Sequence, residues 1–245
     1  MKTIIIIPSR LSAVRLPGKP LLKINGLSII SHVFKKAVDA NIGEVYVATE
    51  DQEIIDDVQK NGGQAILTSN KHKTGTDRIF EALNLLERGD FELVMNLQGD
   101  EPLMNIQDIK NLHKKMIETK SGLGTLASNI QDKKEYINEN VVKVITKESL
   151  DNMKFSEAIK FERKSKEPTI NTYHHLGIYC YQLETLKEFV SLNQSQNEIN
   201  QKLEQLRALD NNIKINVSLA KESPIGVDTK EDFVAIKKIM DYKSE

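Results

Sequence analysis

The chain has 245 residues, 39% of them apolar, which is enough for one large α/β domain or two small ones. Its 34 basic residues balance 35 acidic ones to a formal charge of −1, so bulk electrostatics give no support to a nucleic-acid or membrane-surface role, and any cationic site must be local. Cys180 is the only cysteine, so no intrachain disulfide is possible; this fits a reducing compartment, and its apolar surroundings assign it to the core.

The first element is the run of four isoleucines at 4–7. It does not alternate with polar residues, so it predicts a strand covered on both faces, as in a parallel sheet between helices. The run ends at Pro8 and is too short for a signal-peptide core. No later segment approaches the roughly 18 uninterrupted apolar residues of a membrane helix, and the expected location is the cytoplasm. After a loop, Ser28 can cap a helix carrying Ile29, Ile30, Val33, Phe34, Ala37 and Val38 at helical spacing. EVYVAT is a second strand. Asp51 opens a helix through Ile54, Ile55 and Val58 that stops at Asn61-Gly62-Gly63. QAIL is a third, short strand, a helix follows over Ile79, Ala82, Leu83 and Leu86, and ELVMNLQ is a fourth strand. Right-handed β-loop-α crossovers make this series a parallel sheet with helices on both faces, so the first hundred or so residues read as a nucleotide-binding half.

The second half is less regular. GTLAS, VVKVIT and HHLGIYCY read as strands, and helices are expected over 183–190, 198–209 and 230–240. The stretch 154–172 is charged and turn-like without a clear period. With no repeat, linker or low-complexity tract, the expectation is a single domain over 1–245. Its nucleotide-binding half spans about 1–120 and its acceptor-binding half about 121–245.

Neither G-x-G-x-x-G after the first strand nor G-x-x-x-x-G-K-[ST] is present, which argues against a Rossmann dehydrogenase or a P-loop enzyme. The loop after the first strand instead carries Arg10, Arg15 and Lys19, two forked guanidinium groups and one compact ammonium, suited to several phosphates of one triphosphate. Open α/β sheets bind ligands at this carboxyl edge. Gln98-Gly99-Asp100-Glu101-Pro102 ends the fourth strand at the same edge, and Asp228 follows a second short apolar stretch. Magnesium takes only one or two carboxylates from protein, so Asp100 and Asp228 are candidate ligands, although each also reads as a turn or helix-cap residue. Thr74-Gly75-Thr76-Asp77-Arg78 starts a helix whose free N–H groups could hold part of a nucleotide, or could simply be capped. His174 and His175 alternate on a strand, so only one of them can face a cleft. Glu204-Gln205-Leu206-Arg207 reads as the polar side of an amphipathic helix whose Leu203, Leu206 and Leu209 face inward.

Taken in order, PSRLSAVRLPGKPL, INGLSIISHV, VATEDQEI, TGTDRI, NLQGDEPL, HHLGIYCY, KLEQLRAL and GVDTKED resemble the 3-deoxy-manno-octulosonate cytidylyltransferases (CMP-Kdo synthetases), nearly end to end. The resemblance implies an α/β, Rossmann-like nucleotide-diphospho-sugar transferase fold, with a mostly parallel sheet and a smaller acceptor-binding and dimerisation lobe. It implies a homodimer that couples CTP to the acidic keto-sugar Kdo with Mg²⁺, releasing pyrophosphate and supplying CMP-Kdo for lipopolysaccharide. On this resemblance Arg10, Arg15 and Lys19 bind the triphosphate, Thr76, Arg78 and Gln98 lie near the cytidine, and Asp100 and Asp228 carry Mg²⁺. Lys19, Asp100 and Asp228 form the catalytic set, and His175, Tyr179, Glu204 and Gln205 line the sugar site.

The chain departs from the family pattern at one place. A Phe-Ser-Arg stretch ending in Ile-Pro is typical there, whereas this sequence has Phe155-Ser156-Glu157, with Lys160-Phe161 in place of Ile-Pro. A unit charge about 4 Å from another is worth roughly 4 kcal/mol at an effective dielectric of about 20, so a charge reversal facing a phosphate would be severe. The expectation is therefore that Lys154, Lys160 or Arg163 compensates, that the acceptor is a modified or sialic-acid-like sugar, or that the chain is a weakened nucleotide-binding homologue.

Overall fold

The four isoleucines at the start are completely buried and lie in strand β1 (Thr3–Ser9). The structure, a computed structural model, describes residues 1–12, 15–165 and 168–242. In chain order β1 is followed by the short pair β2 (Lys23–Ile24) and β3 (Leu27–Ser28), then α1 (Ile29–Asp39), β4 (Glu44–Thr49), α2 (Gln52–Lys60), β5 (Ala65–Leu67), α3 (Gly75–Leu85) and β6 (Leu93–Asn96). Next come α4 (Ile106–Thr119), β7 (Leu123–Ser128), β8 (Lys143–Thr146), β9 (Ser156–Glu162), β10 (Thr172–Gln182), α5 (Leu183–Ser191), α6 (Gln196–Gln201) and α7 (Leu206–Asp210). Strand β11 (Asn216–Leu219) and helix α8 (Lys230–Tyr242) complete the order. Among the described residues no helix is long and apolar enough to cross a membrane.

The chain forms two units. The amino-terminal unit comprises Lys2–Phe91, Met95–Ile106 and the chain from Pro224 onward. Its strands β5, β4 and β1 lie side by side in that order, β4 pairing with both neighbours in parallel, and of β6 it holds residues 95 and 96. Ser28 caps α1 by accepting a hydrogen bond from the Ser31 N–H at 3.2 Å. Helix α8 belongs here because Ile236, Phe233 and Met240 pack with Ile24, Ile29 and Val227 in one apolar cluster. The end of the chain thus joins the amino-terminal unit rather than the later half in which its sequence position placed it.

The central unit comprises Met1, Glu92–Val94 and Gln107–Ser223. Its strands run β10-β7-β11-β9-β8, and β8 also pairs with β10, so each of the five has two partners within this set. Most of these pairings are antiparallel; β11 with β7 is parallel. Register shifts in β10 between Leu176 and Tyr179, and in β8 between Ile145 and Thr146, are the local bends that bulges introduce. Cys180 is buried in β10 and its thiol is pushed up to about 12 by burial, the expected behaviour of a core cysteine.

Besides the short pair β2 and β3, three elements were not anticipated from the sequence. Strand β9 occupies the charged stretch because Ser156, Ala158 and Phe161 point inward while Lys160 remains exposed, a pattern broken by a bulge. Strand β11 and helix α4 are the others. The helix expected over 198–209 is instead two helices, separated at Lys202, whose φ of 53° is left-handed and ends α6.

Candidate active site

Strand β1 delivers the chain to the carboxyl edge of the sheet at Ser9, and the loop that follows is tied at three points. The Leu11 N–H donates to the Asp51 carboxylate at 2.7 Å, and the Gly18 N–H donates to the Leu11 carbonyl at 3.0 Å. Asp51 therefore secures the cationic loop, and its side chain makes no cap bond to α2. Gly18 has a φ of 72° and starts the short 3-10 turn that carries Lys19. Gly99 is required by close approach, since a Cβ there would lie 2.9 Å from the Pro8 carbonyl oxygen.

The third tie is ionic. The Lys19 ammonium donates to Asp100 Oδ2 at 2.6 Å, to Asp228 Oδ1 at 3.2 Å and to the Val227 carbonyl at 2.9 Å. Arg15 reaches Asp228 Oδ2 at 2.8 Å, and the Val227 N–H donates to the Asp100 carbonyl at 2.9 Å, which fixes the two acidic segments side by side. Burial alone would lower the Lys19 pKa, but Asp100 and then Asp228 outweigh it and hold the pKa above the ordinary lysine value. The neighbouring Glu101 is pushed up to about 8 by burial, then by Asp100 and Asp228, and is mainly neutral at pH 7.

The ionic cluster borders a cavity of about 340 Å³, a volume suited to a small-molecule ligand. Arg10, Arg15, Lys19, Asp100 and Asp228 stand with Arg78 and Gln98 in its wall. Of the expected nucleotide residues only Thr76, buried in the first turn of α3, is absent from that wall. Arg78 is also buried, and its guanidinium is held by Glu50 and by Thr68 Oγ1 at 2.7 Å. The sequence reading overlooked His72 and Lys73, which line the same cavity. No motif spacing marks them; they reach the wall because the loop before α3 is folded onto that helix.

Magnesium takes oxygen ligands, and the cavity wall offers two carboxylates, Asp100 and Asp228. Two carboxylates already converge on one ammonium, so Asp100 and Asp228 define a position for positive charge. Among the described residues no cluster of three or more metal-binding side chains occurs, and magnesium does not need one when phosphates and water complete its octahedron. The residues fit.

The expected sugar-site residues gather in the central unit. The rings of His175 and Tyr179 lie 5.5 Å apart between centroids, and Phe161 meets His175 edge-on at 5.0 Å. His175 Nε2 lies 3.0 Å from Thr125 Oγ1, and burial, then His174, lowers its pKa to about 3, so the ring is neutral. Burial, then Tyr181 and Glu204, raises the Tyr179 pKa, which places Glu204 in the same electrostatic neighbourhood. Gln205 is buried where α7 begins. His174 takes the other face of β10, with Nδ1 2.8 Å from Ser223 Oγ.

Glu157 lies beside Lys214, with Nζ to Oε2 at 3.9 Å, and is not part of the cavity wall. The proposed compensating cations are engaged elsewhere. Arg163 donates to the carbonyls of Gln201, Glu139 and Lys202 at 2.7, 3.0 and 2.9 Å. Lys160 pairs with Glu162, and Lys154 with Glu148 and Asp151.

A cavity that joins a cationic loop to paired carboxylates suits a metal-assisted nucleotide reaction, and comparison with known proteins gives it a family. Residues 4–215 match the family model described as Cytidylyltransferase. The chain is 41% identical to the 3-deoxy-manno-octulosonate cytidylyltransferase of Thermodesulfovibrio yellowstonii over 100% of both chains. It is 39% identical to that of Paramagnetospirillum magneticum over 94% of each. A solved structure of CMP:2-keto-3-deoxy-manno-octonic acid synthetase complexed with CTP is similar with a TM-score of 0.88 and 32% identity, covering 99% of this chain and 100% of the other. With full-length likeness in sequence and fold, the chain belongs to the 3-deoxy-manno-octulosonate cytidylyltransferase family.

Proposed function

We propose that the protein activates the acidic sugar 3-deoxy-D-manno-octulosonate (Kdo) with CTP, forming CMP-Kdo and pyrophosphate. The observation that carries this reading is the convergence of Arg15, Lys19, Asp100 and Asp228 in one cavity, in a chain whose full-length relatives bear that activity as their name. The anomeric hydroxyl of the sugar attacks the α-phosphorus; its oxygen forms the new P–O bond, the bond to the β-phosphate bridge breaks, and pyrophosphate leaves with the electron pair. The hydroxyl proton passes to solvent.

In this reading Arg10 and Arg15 orient the triphosphate by forked hydrogen bonds, and Lys19 neutralises charge on the leaving pyrophosphate. The work is mainly positioning and charge stabilisation, and no covalent enzyme intermediate is needed. Asp100 and Asp228 would hold Mg²⁺, which when bound supplies Lewis-acid stabilisation of the phosphate oxygens. Gln98 and Arg78 stand on the nucleoside side of the cavity, with Thr76 behind them in α3. His175, Tyr179, Glu204 and Gln205 form the sugar-binding group; neutral His175 and Tyr179 there offer hydrogen bonds rather than charge. A homodimer, a cytoplasmic setting and a role in lipopolysaccharide biosynthesis belong to the same reading, supported by the family resemblance.

Pyrophosphate release from purified protein with CTP, Mg²⁺ and a panel of acidic keto-sugars tests the function. Release with Kdo well above that with sialic-acid-like sugars is expected. Release only with another sugar would overturn the assignment of acceptor, and none with any sugar would leave a nucleotide-binding homologue.

A further inference from the structure

His72 is a wall residue of the cavity with no place in the scheme above. Its position is imposed by α3. Arg78 and Glu81 lie three residues apart on one face of that helix and fasten the preceding loop. Arg78 donates to Thr68 Oγ1 at 2.7 Å, and Glu81 accepts from the Ser69 N–H at 2.8 Å. The second partner of the Glu81 carboxylate oxygen is His72 Nε2. Thr74 then caps the helix by accepting from the Asp77 N–H at 3.2 Å.

The imidazole is thus oriented by a carboxylate through one nitrogen, which leaves the other. Among the described residues the Glu81 contact through Nε2 is the single hydrogen bond of this ring. The side chain is 19% exposed, so the ring is reachable from the cavity while remaining mostly packed. An oriented ring nitrogen on a cavity wall, with its partner nitrogen tethered, is how proteins preset a histidine for a ligand. The charged groups around it are Glu81, Arg78 and Lys73.

We propose that His72 is a binding residue for the nucleoside half of the nucleotide, with Nδ1 making the contact and Glu81 acting as its positioning residue. The nucleoside half is favoured because the phosphate-binding cations Arg15 and Lys19 are gathered with Asp100 and Asp228, whereas His72 belongs to the loop leading into α3 with Thr74 and Gly75. The inference rests on the reading that this cavity holds CTP.

The test is calorimetric titration of the full-length protein with CTP, CMP and inorganic pyrophosphate, with a thermal melt of each variant. His72→Gln keeps a nitrogen near the Nε2 position and its Glu81 tether but loses Nδ1. It should weaken CTP and CMP roughly tenfold, the loss of one ligand hydrogen bond, and leave pyrophosphate unchanged. His72→Asn, whose amide reaches the Nδ1 position and can turn either its oxygen or its nitrogen to the ligand, should bind CMP more tightly than His72→Gln. Glu81→Gln should fall between His72→Gln and the natural chain. Wild-type affinity in His72→Gln, the reverse order of the two His72 variants, or an equal loss for pyrophosphate would overturn the proposal. Nitrogen shifts of the His72 ring in the unmutated protein give an answer independent of folding. CMP should move Nδ1 more than Nε2, and an unmoved Nδ1 would refute the contact. An unmutated protein that binds no CTP would instead sink the functional reading beneath it.

Discussion

The two units use charge in opposite ways. In the amino-terminal unit Arg15, Lys19, Asp100 and Asp228 are clustered at a cavity, and both arginine and Asp228 reach solvent. In the central unit Arg207 and Glu198 are almost completely buried, bonded at 2.9 and 2.7 Å, and Arg207 also lies 4.6 Å from the centre of the Phe189 ring. Lys143 is likewise buried and gives its ammonium to the carbonyls of Asn138 and Val141 at 2.8 and 2.5 Å, and to that of Arg163. Charge at the cavity can exchange its partners for a ligand; charge inside the central unit cannot, because losing a partner leaves an ion uncompensated. The contrast separates groups that act from groups that hold the fold.

Substitutions on either side can break this contrast. The largest effect is expected at the cavity: Asp100→Asn should lower turnover by about 10³-fold with an unchanged melting temperature, read by pyrophosphate release and circular dichroism. Near-normal turnover would remove Asp100 from the catalytic set. Arg207→Ala should do the reverse, costing about 3 kcal/mol of stability by denaturant unfolding while CTP affinity is preserved. Next, Lys19→Ala should raise the KM for CTP by roughly 30-fold and leave that for the sugar alone, a charge-assisted hydrogen bond being worth about 2 kcal/mol. An effect confined to the sugar would reassign the loop.

A smaller effect concerns pH. His175 is neutral in the folded state with its pKa lowered to about 3, whereas an exposed histidine titrates near 6.5. Below about 6.5 the unfolded chain takes a proton that the folded chain refuses, so this contribution to stability is complete above 6.5 and is lost as pH falls toward 3. The slope is at most about 1.4 kcal/mol per pH unit. His175→Asn should flatten the stability profile between pH 6.5 and 5; an unchanged slope would mean that the ring is not kept neutral. The smallest effect is expected for Glu157→Arg, at a half-exposed side chain beside the exposed Lys214, which should change stability by less than about 0.5 kcal/mol. A large gain in turnover would restore the idea that Glu157 impairs the enzyme.

The parallel half was legible because its signals are local. Four buried isoleucines, Ser28 as a cap and the Asn61-Gly62-Gly63 stop are each read within a few residues. Arg15, Lys19, Asp100 and Asp228 could be named separately, but their meeting depends on the Val227 to Asp100 backbone bond across the fold, which no spacing encodes. His72 was invisible for the same reason, since its place depends on Glu81 drawing the loop onto α3. In the central unit β9 was hidden by its bulge and by charged residues on its outer side. Arg207, read as part of a wet helix face, is buried because Glu198 neutralises it, a pairing between two helices that hydrophobic periodicity treats as polar surface.

The proposed reaction is defined by where the phosphate chain is cut. Mass spectrometry of the products from CTP, Kdo and Mg²⁺ should find CMP joined to the sugar and one pyrophosphate for each conjugate. A CDP-sugar with inorganic phosphate, or CMP and pyrophosphate without any sugar conjugate, would contradict attack by the sugar at the α-phosphorus.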